Sequence, residues 1–493
     1  MNRLNILFAT SEAAPFAKTG GLADVAGALP KALKQLGHDV RLVMPRYYVV
    51  DREKYALKRL EGSLGVPMGI MGEEWAAVYE GVLPGSDVPV YFIEHEGYFG
   101  RKGLYDDDGF SYGDNDNRFI FFSRAVMQLA KMIRFQPDVI HANDWHTAAI
   151  PVLLNTVYAF DPDFAYAGSV LTIHNLQHQG KFYKGAMDVL DVGWNHFTAD
   201  ELEEYDGINL LKGAIVHADA VTTVSRRYAD EIRTPEFGWG LERLIDINSY
   251  KLYGILNGVD YDEWSPECDP YIPLRFDIGD MGGKAECKTA LQKTFNLPVR
   301  SDVPLIGLVG RLAEQKGITL LSHAIGKLLE MDIQVVLLGA GEKWAEHFFS
   351  IVASHHPEKF GCYIGYRNDL SHLIEAGSDF FLMPSLFEPC GLNQIYSLRY
   401  GTLPIVRATG GLDDTIENYR NDGHSGTGFK FYDPTPQALY DTVGWAVHTW
   451  YNDPEGYKQL QRNAMEKRFD WLKAAYEYEN IYRTVVSGRK GNR

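Results

Sequence analysis

The stretch LNILFATSEAAPFAKTGGLADVAGALPKALKQLGHDVRLVM, residues 4–44, holds one complete structural repeat of the fold. LNILFA (4–9) is a short apolar run, as expected of a strand buried on both faces. A loop carrying Gly20 and Gly21 follows, and GLADVAGALPKALKQLG (21–37) then places apolar residues at helical spacing. DVRLVM (39–44) is a second strand. Strand, glycine loop, helix and strand make a βαβ unit with parallel pairing.

The same form recurs outward from this unit. DVIHAND (138–144), GSVLTIHN (168–175) and AVTTVS (220–225) are apolar runs that end in polar residues. The segment Trp75–His95, broken by PGSD (84–87), predicts a β-hairpin instead. After YGILNGVD (253–260) and the irregular WSPECDPYIPLRFD (264–277) the pattern restarts with VPLIGLVGRL (303–312), IQVVLLGAG (333–341), DFFLMPS (379–385) and LPIVRATGG (403–411). The fold class is therefore α/β, with two doubly wound Rossmann-like domains, 1–255 and 256–485, and a polar tail at 486–493. Residues 436–485 are helical and expected to pack back toward the N-terminal domain. Their aromatics (Trp445, Trp450, Tyr451, Trp471, Tyr476, Tyr478, Tyr482) are assigned to core packing.

A chain of 493 residues fits two or three cores at roughly 100–200 residues each. Apolar residues make up 45% and charged residues 23%, which excludes wholesale disorder. The net charge of −17 argues against nucleic acid or an anionic membrane as a partner, so any anionic ligand must be held by a few placed cations and amides. Cys268, Cys287, Cys362 and Cys390 form no C-x-x-C pair and suit a reducing compartment. The N-terminal apolar run is too short for a signal sequence, so the expected location is the cytoplasm. Nothing in the residues sets an oligomeric state.

Open α/β sheets bind ligands beyond the carboxyl ends of their strands, so the loops there carry the chemistry. ATSEAAPFAKTGGLADV (9–25) puts Lys18 before two glycines and a helix start, compatible with a phosphate or with a plain turn. NDWH (143–146) brings Asp144, either a ligand group or the N-cap of the next helix. His174, Asn175, Gln177, His178 and Gln179 crowd one rim, and so many neutral hydrogen-bonding groups suit a sugar. No H-E-x-x-H occurs and no paired cysteine joins these histidines, so they are not spaced as a metal set. DDDGFSYGDNDN (106–117) fails the EF-hand spacing and reads as a mobile loop. In the second half, Arg311 and Lys316 follow a strand and match a diphosphate, or are merely surface cations near Glu314. Glu388 precedes Pro389, and Cys390-Gly391 leads into a helix expected near Leu392. A carboxylate beside an anion site suits developing positive charge on a sugar. TGGLDDT (409–415) is a further glycine pair, for phosphate or for turn geometry.

KTGGLADV (18–25), DNDNRF (114–119), NDWH, HNLQHQG (174–180), NGVD (257–260), GRLAEQKG (310–317), FEPCGLNQ (387–394) and YGTLPIVRATGGL (400–412) together resemble the bacterial glycogen synthases and plant starch synthases, over residues 1 to about 485. The resemblance implies a GT-B fold with a deep cleft. It also implies transfer of glucose from ADP-glucose to the non-reducing end of an α-1,4-glucan such as glycogen, with retention and without cofactor or metal. By motif it assigns Glu388, His174, Arg311 and Lys316 to catalysis. Lys18, Gly21, Asp24, Asp144, Asn175, Asn257, Tyr366, Cys390, Gly391, Leu392 and Asn393 are assigned to substrate binding, with Tyr366 beside the nucleotide base. Two departures stand out: Asn393 where many relatives have threonine, and Tyr396 where broader retaining transferases carry a second glutamate. Rival readings are a UDP-glucose-dependent transferase, a sugar-nucleotide epimerase and a silent carbohydrate-binding scaffold. A nicotinamide enzyme is disfavoured because GAGEKW (339–344) fails G-x-G-x-x-G.

Overall fold

The structure, a computed structural model, describes residues 3–107, 109–421 and 423–491. The chain divides into two compact units, 1–258 with 471–493, and 259–470.

The first unit is built on one large sheet, ordered Leu252–Gly254, Ala220–Thr223, Gly168–Ile173, Val139–Asn143, Asn5–Ala9, Asp39–Pro45, Pro89–Glu94, Glu73–Val82 and Lys58–Arg59. The first seven strands of this order pair in parallel, and Glu73–Val82 closes on Pro89–Glu94 as the antiparallel hairpin the sequence suggested. Asn5–Ala9 lies between Asp39–Pro45 and Val139–Asn143, so strand order reverses there. The four residues Ile6–Ala9 are fully buried, which is why the run has no polar alternation. The acidic stretch at 106–117 is mostly not a loop: Asp106–Asp107 pairs with Phe110–Ser111, and a helix runs Asn115–Met132 (Asp108 lies outside the described residues). Arg118 of DNDNRF is fully buried and donates to Tyr98 O (2.7 Å), Leu104 O (2.9 Å) and Asn115 Oδ1 (2.6 Å). That motif folds the loop onto the core.

The second unit is a six-stranded parallel sheet ordered Phe360–Ile364, Gln334–Gly339, Leu305–Val309, Phe380–Met383, Leu403–Arg407 and Phe429–Phe431. Here the order reverses between Leu305–Val309 and Phe380–Met383. The irregular stretch 264–277 belongs to this unit. Trp264 is stacked between His372 and Tyr396 (centroids 3.8 and 4.0 Å), and Asp269 pairs with His372 Nδ1 at 2.8 Å in full burial.

Two expected boundaries need correction. The units divide after Gly258 rather than 255, and the return to the first unit comes at Trp471. Residues 486–493 are not a separate polar tail: the helix Trp471–Gly491 includes them as far as it is described, with Val486 buried and Arg489 paired to Asp219 at 2.8 Å. The reason is an apolar stripe, Trp471, Ala474, Ala475, Tyr478, Ile481, Tyr482 and Val485, all buried at helical spacing. Each large side chain in it contributes about 1.5–3 kcal/mol of burial. Gly168 admits the helix, because a Cβ there would lie 2.1 Å from Val485 Cγ1. Tyr476 and Tyr451 of the same aromatic set stay exposed.

Candidate active site

In the first unit the order reversal opens between the ends of Asn5–Ala9 and Val139–Asn143, where bound ligands are expected. The KTGG loop there is organised by a residue the motif reading passed over. Glu12 is 3% exposed; its carboxylate accepts from Thr19 N (2.5 Å), Gly20 N (3.2 Å), Thr19 Oγ1 (2.5 Å) and Tyr105 OH (2.7 Å). Lys18 Nζ reaches Asp24 Oδ1 at 2.6 Å, and burial raises the Asp24 pKa against that partner's pull. A Cβ on Gly20 or Gly21 would meet nothing within 4 Å, so packing does not demand these glycines.

Asp144 does not cap the following helix with its side chain. Its Oδ1 accepts from the backbone amide of His174 at 2.7 Å, and the Asn175 amide bonds the same carboxylate. Burial outweighs these bonds and pushes the Asp144 pKa up to about 7. Asp144 sits at φ 56°, a left-handed turn that aims its carboxylate at the neighbouring strand end. His174 Nε2 lies 2.9 Å from Asn143 Oδ1, and Asn143 Nδ2 donates to Ala9 O at 3.0 Å. The Asn143 amide is thereby oriented, so His174 Nε2 carries the proton and Nδ1 is an acceptor. Burial lowers the His174 pKa to about 3, which keeps the ring neutral. Asn257 is buried, and its Oδ1 has no hydrogen-bond partner among the described residues.

In the second unit the reversal brings together the two loops carrying the predicted catalytic groups. Lys316 Nζ lies 2.6 Å from Glu388 Oε2, which also accepts from Ser385 Oγ at 3.0 Å. Arg311 is exposed and bonds Gln315 Oε1 at 3.3 Å. Backbone contact fixes the pairing: Leu386 N donates to Gln315 O at 2.9 Å, and Gly317 (φ 72°) sits where a Cβ would come 2.0 Å from Pro384 O. The TGG turn serves geometry. Gly411 N donates to Glu388 O (3.0 Å), and a Cβ on Gly410 would stand 2.0 Å from that same oxygen.

Cys390 is buried, Gly391 takes φ 72°, and Leu392 is the N-cap of the helix Asn393–Arg399. The first amides of that helix lack intrahelical acceptors, as at any helix start. Asn393 Nδ2 donates to Val309 O at 2.9 Å, so the asparagine ties this helix to the strand end before Arg311. Tyr396 stacks on Trp264 and is a packing residue. Tyr366 stands 69% exposed after the edge strand Phe360–Ile364, on the same carboxyl-end rim as Arg311.

The structure thus gathers Lys18, Gly21, Asp24, Asp144, His174 and Asn175 at the strand ends of the first unit. Arg311, Lys316, Glu388 and Cys390–Asn393 gather in the second, with Tyr366 further along its rim. Glu12, Asn143 and Tyr105 were not singled out, because their roles depend on side-chain contacts within and between loops; the strand-end positions of Glu12 and of Asn143 in NDWH were the only hints. The only grouping of three potential metal ligands among the described residues is His196, Glu201 and His217.

Two Rossmann-like units with a lysine–carboxylate pair at one switch point are compatible with a glycosyltransferase of the GT-B fold, and the comparisons establish that class. Family comparison agrees: the starch synthase catalytic domain model matches residues 5–247, and that of the group 1 glycosyl transferases matches 292–467. The chain is 60% identical over 491 residues to glycogen synthase 1 of Geobacter sulfurreducens, covering 100% of this chain and 98% of that protein. It is 57% identical over 493 residues to glycogen synthase 1 of Geobacter metallireducens, with the same coverage. The catalytic domain of starch synthase IV from Arabidopsis thaliana, bound to ADP and acarbose, superposes with a TM-score of 0.91 at 34% identity, covering 99% of this chain and 100% of that one. The chain belongs to the glycogen and starch synthase family and is a glucosyltransferase.

Proposed function

We propose that the chain elongates an α-1,4-glucan by transferring glucose from ADP-glucose with retention of configuration, in the cytoplasm and without a metal. The observation that carries this reading is the Lys316–Glu388 pair, on the loop where Arg311 bonds Gln315. Cations and helix amides at one switch point favour a departing diphosphate, and the adjacent carboxylate favours positive charge developing on the sugar. Neutral His174, Asp144, Asn175 and Asn257 offer the uncharged or weakly charged hydrogen-bonding set that a glucosyl ring requires. The ADP named for the starch synthase IV structure supports the donor, and exposed Tyr366 is suited to stack on its base.

Incubation with ADP-glucose or UDP-glucose and a glycogen primer, following nucleotide release and chain growth together, tests the proposal. Growth with ADP-glucose is expected. Release without growth would favour an epimerase or hydrolase, and growth with UDP-glucose alone would reassign the donor.

A further inference from the structure

We propose that His196, Glu201 and His217 form a binding site for a divalent transition-metal ion of the zinc class, sharing no residue with the transfer machinery. His196 ends the turn Trp194–His196, Glu201 follows in the same loop, and His217 is the last residue of the helix Leu210–His217. Glu201 Oε2 lies 2.6 Å from His196 Nδ1 and 3.0 Å from His217 Nε2, and the three ligand atoms fall within 4.8 Å of one another. Two imidazoles and one carboxylate are a zinc donor set, leaving the fourth tetrahedral position to water. All three side chains are partly exposed, between 12% and 27%, so an ion can enter from solvent.

The present spacings are hydrogen-bond lengths. Metal bonds of about 2.0–2.2 Å in a tetrahedron separate their ligands by about 3.4 Å, so the two Glu201 separations must widen by less than about an ångström, while the two imidazole nitrogens, within 4.8 Å of each other, settle at that same spacing. The loop can supply that movement, while its frame is held by Glu201 N and Glu203 N to Thr198 O (both 3.0 Å) and by Lys212 Nζ to Ala199 O (2.6 Å). Burial opposes ionisation of Glu201, but the bonds from both histidines bring its pKa below the ordinary value. Burial lowers that of His217, which favours the neutral imidazole a metal needs. Lys251 is a cation near His217, as Lys212 is near the loop; the Lys251 Nζ is spent on Val216 O (2.8 Å) and Ala218 O (2.7 Å), and burial pulls its pKa to about 8.

The test is calorimetric titration of the chelator-treated full chain with Zn²⁺, beside the visible spectrum with Co²⁺. One saturable equivalent, a rise in thermal midpoint and a Co²⁺ band of four- or five-coordinate intensity are expected. His196→Ala and His217→Gln should each weaken uptake at least about tenfold. No saturable uptake by the wild type, or uptake unchanged in both variants, overturns the site. Should the variants fail to fold, the wild-type Co²⁺ spectrum decides: a purely octahedral, weak band means the three residues are only a hydrogen-bonded clasp.

Discussion

Lys316 Nζ and Glu388 Oε2 lie 2.6 Å apart, joining two loops separated by 72 positions in the chain. The cation proposed to meet the leaving group and the carboxylate proposed to meet the sugar are thus one ion pair. Its geometry makes their roles separable by substitution.

Glu388→Gln removes the negative charge but keeps the side chain's shape. Transfer should fall by at least about 10²–10³-fold, the scale of a lost electrostatic stabiliser. ADP affinity should hold or rise, since Lys316 is released from its partner. Calorimetry beside an activity assay checks both, and a variant that binds ADP worse than wild type would contradict the assignment.

Gly410→Ala forces a Cβ to within 2.0 Å of Glu388 O at φ 44°. The turn under Glu388 must shift, so transfer is expected to drop about tenfold or more, with stability lowered by ~1–3 kcal/mol. Rates and urea midpoints of the variant provide the measurement. Unchanged turnover would show that Glu388 tolerates displacement.

Glu12→Ala strips the acceptor from Thr19, Gly20 and Tyr105. Thr19 and Gly20 are exposed and Tyr105 OH keeps Ser11 Oγ at 2.8 Å, so water and that partner offset most of the loss in stability while the KTGG loop loosens. A several-fold rise in KM with a smaller change in kcat is expected in steady-state kinetics.

Acid stability should reflect the neutral buried histidines. His141, hydrogen-bonded to Tyr482 OH (2.7 Å) and Thr172 Oγ1 (2.6 Å), and His174 both have pKa values drawn down to about 3 by burial. Between pH 6.5 and 3 the unfolded chain takes up their protons and the folded one does not. Stability therefore falls with pH across that window, by up to about 1.4 kcal/mol per unit for each. Asp144, raised to about 7, acts the other way: its contribution is full below its unfolded pKa near 3.8 and is lost as pH rises through 7. His141→Asn should flatten the acid limb in urea titrations at pH 7, 6 and 5.

Local pattern was enough for the two α/β series, the hairpin and the order of the motif loops. Apolar runs of period-free strands, helical spacing and glycine position are properties of neighbouring residues. The same local logic named Lys316 and Glu388 separately, each at a strand end. Only the assembled sheet could put them in contact, because strand order, not chain order, decides which loops are adjacent. Tertiary packing also decided that the last helix returns to the first unit, that Glu12 rather than a distant partner braces the KTGG loop, and that the glycines of TGG yield to the Glu388 backbone. His196, Glu201 and His217 have no motif spacing at all; a loop folding onto a helix end brings them together. Chemistry that depends on distance between side chains remote in sequence is written in the fold, since a one-dimensional pattern carries identity and period but no through-space separation.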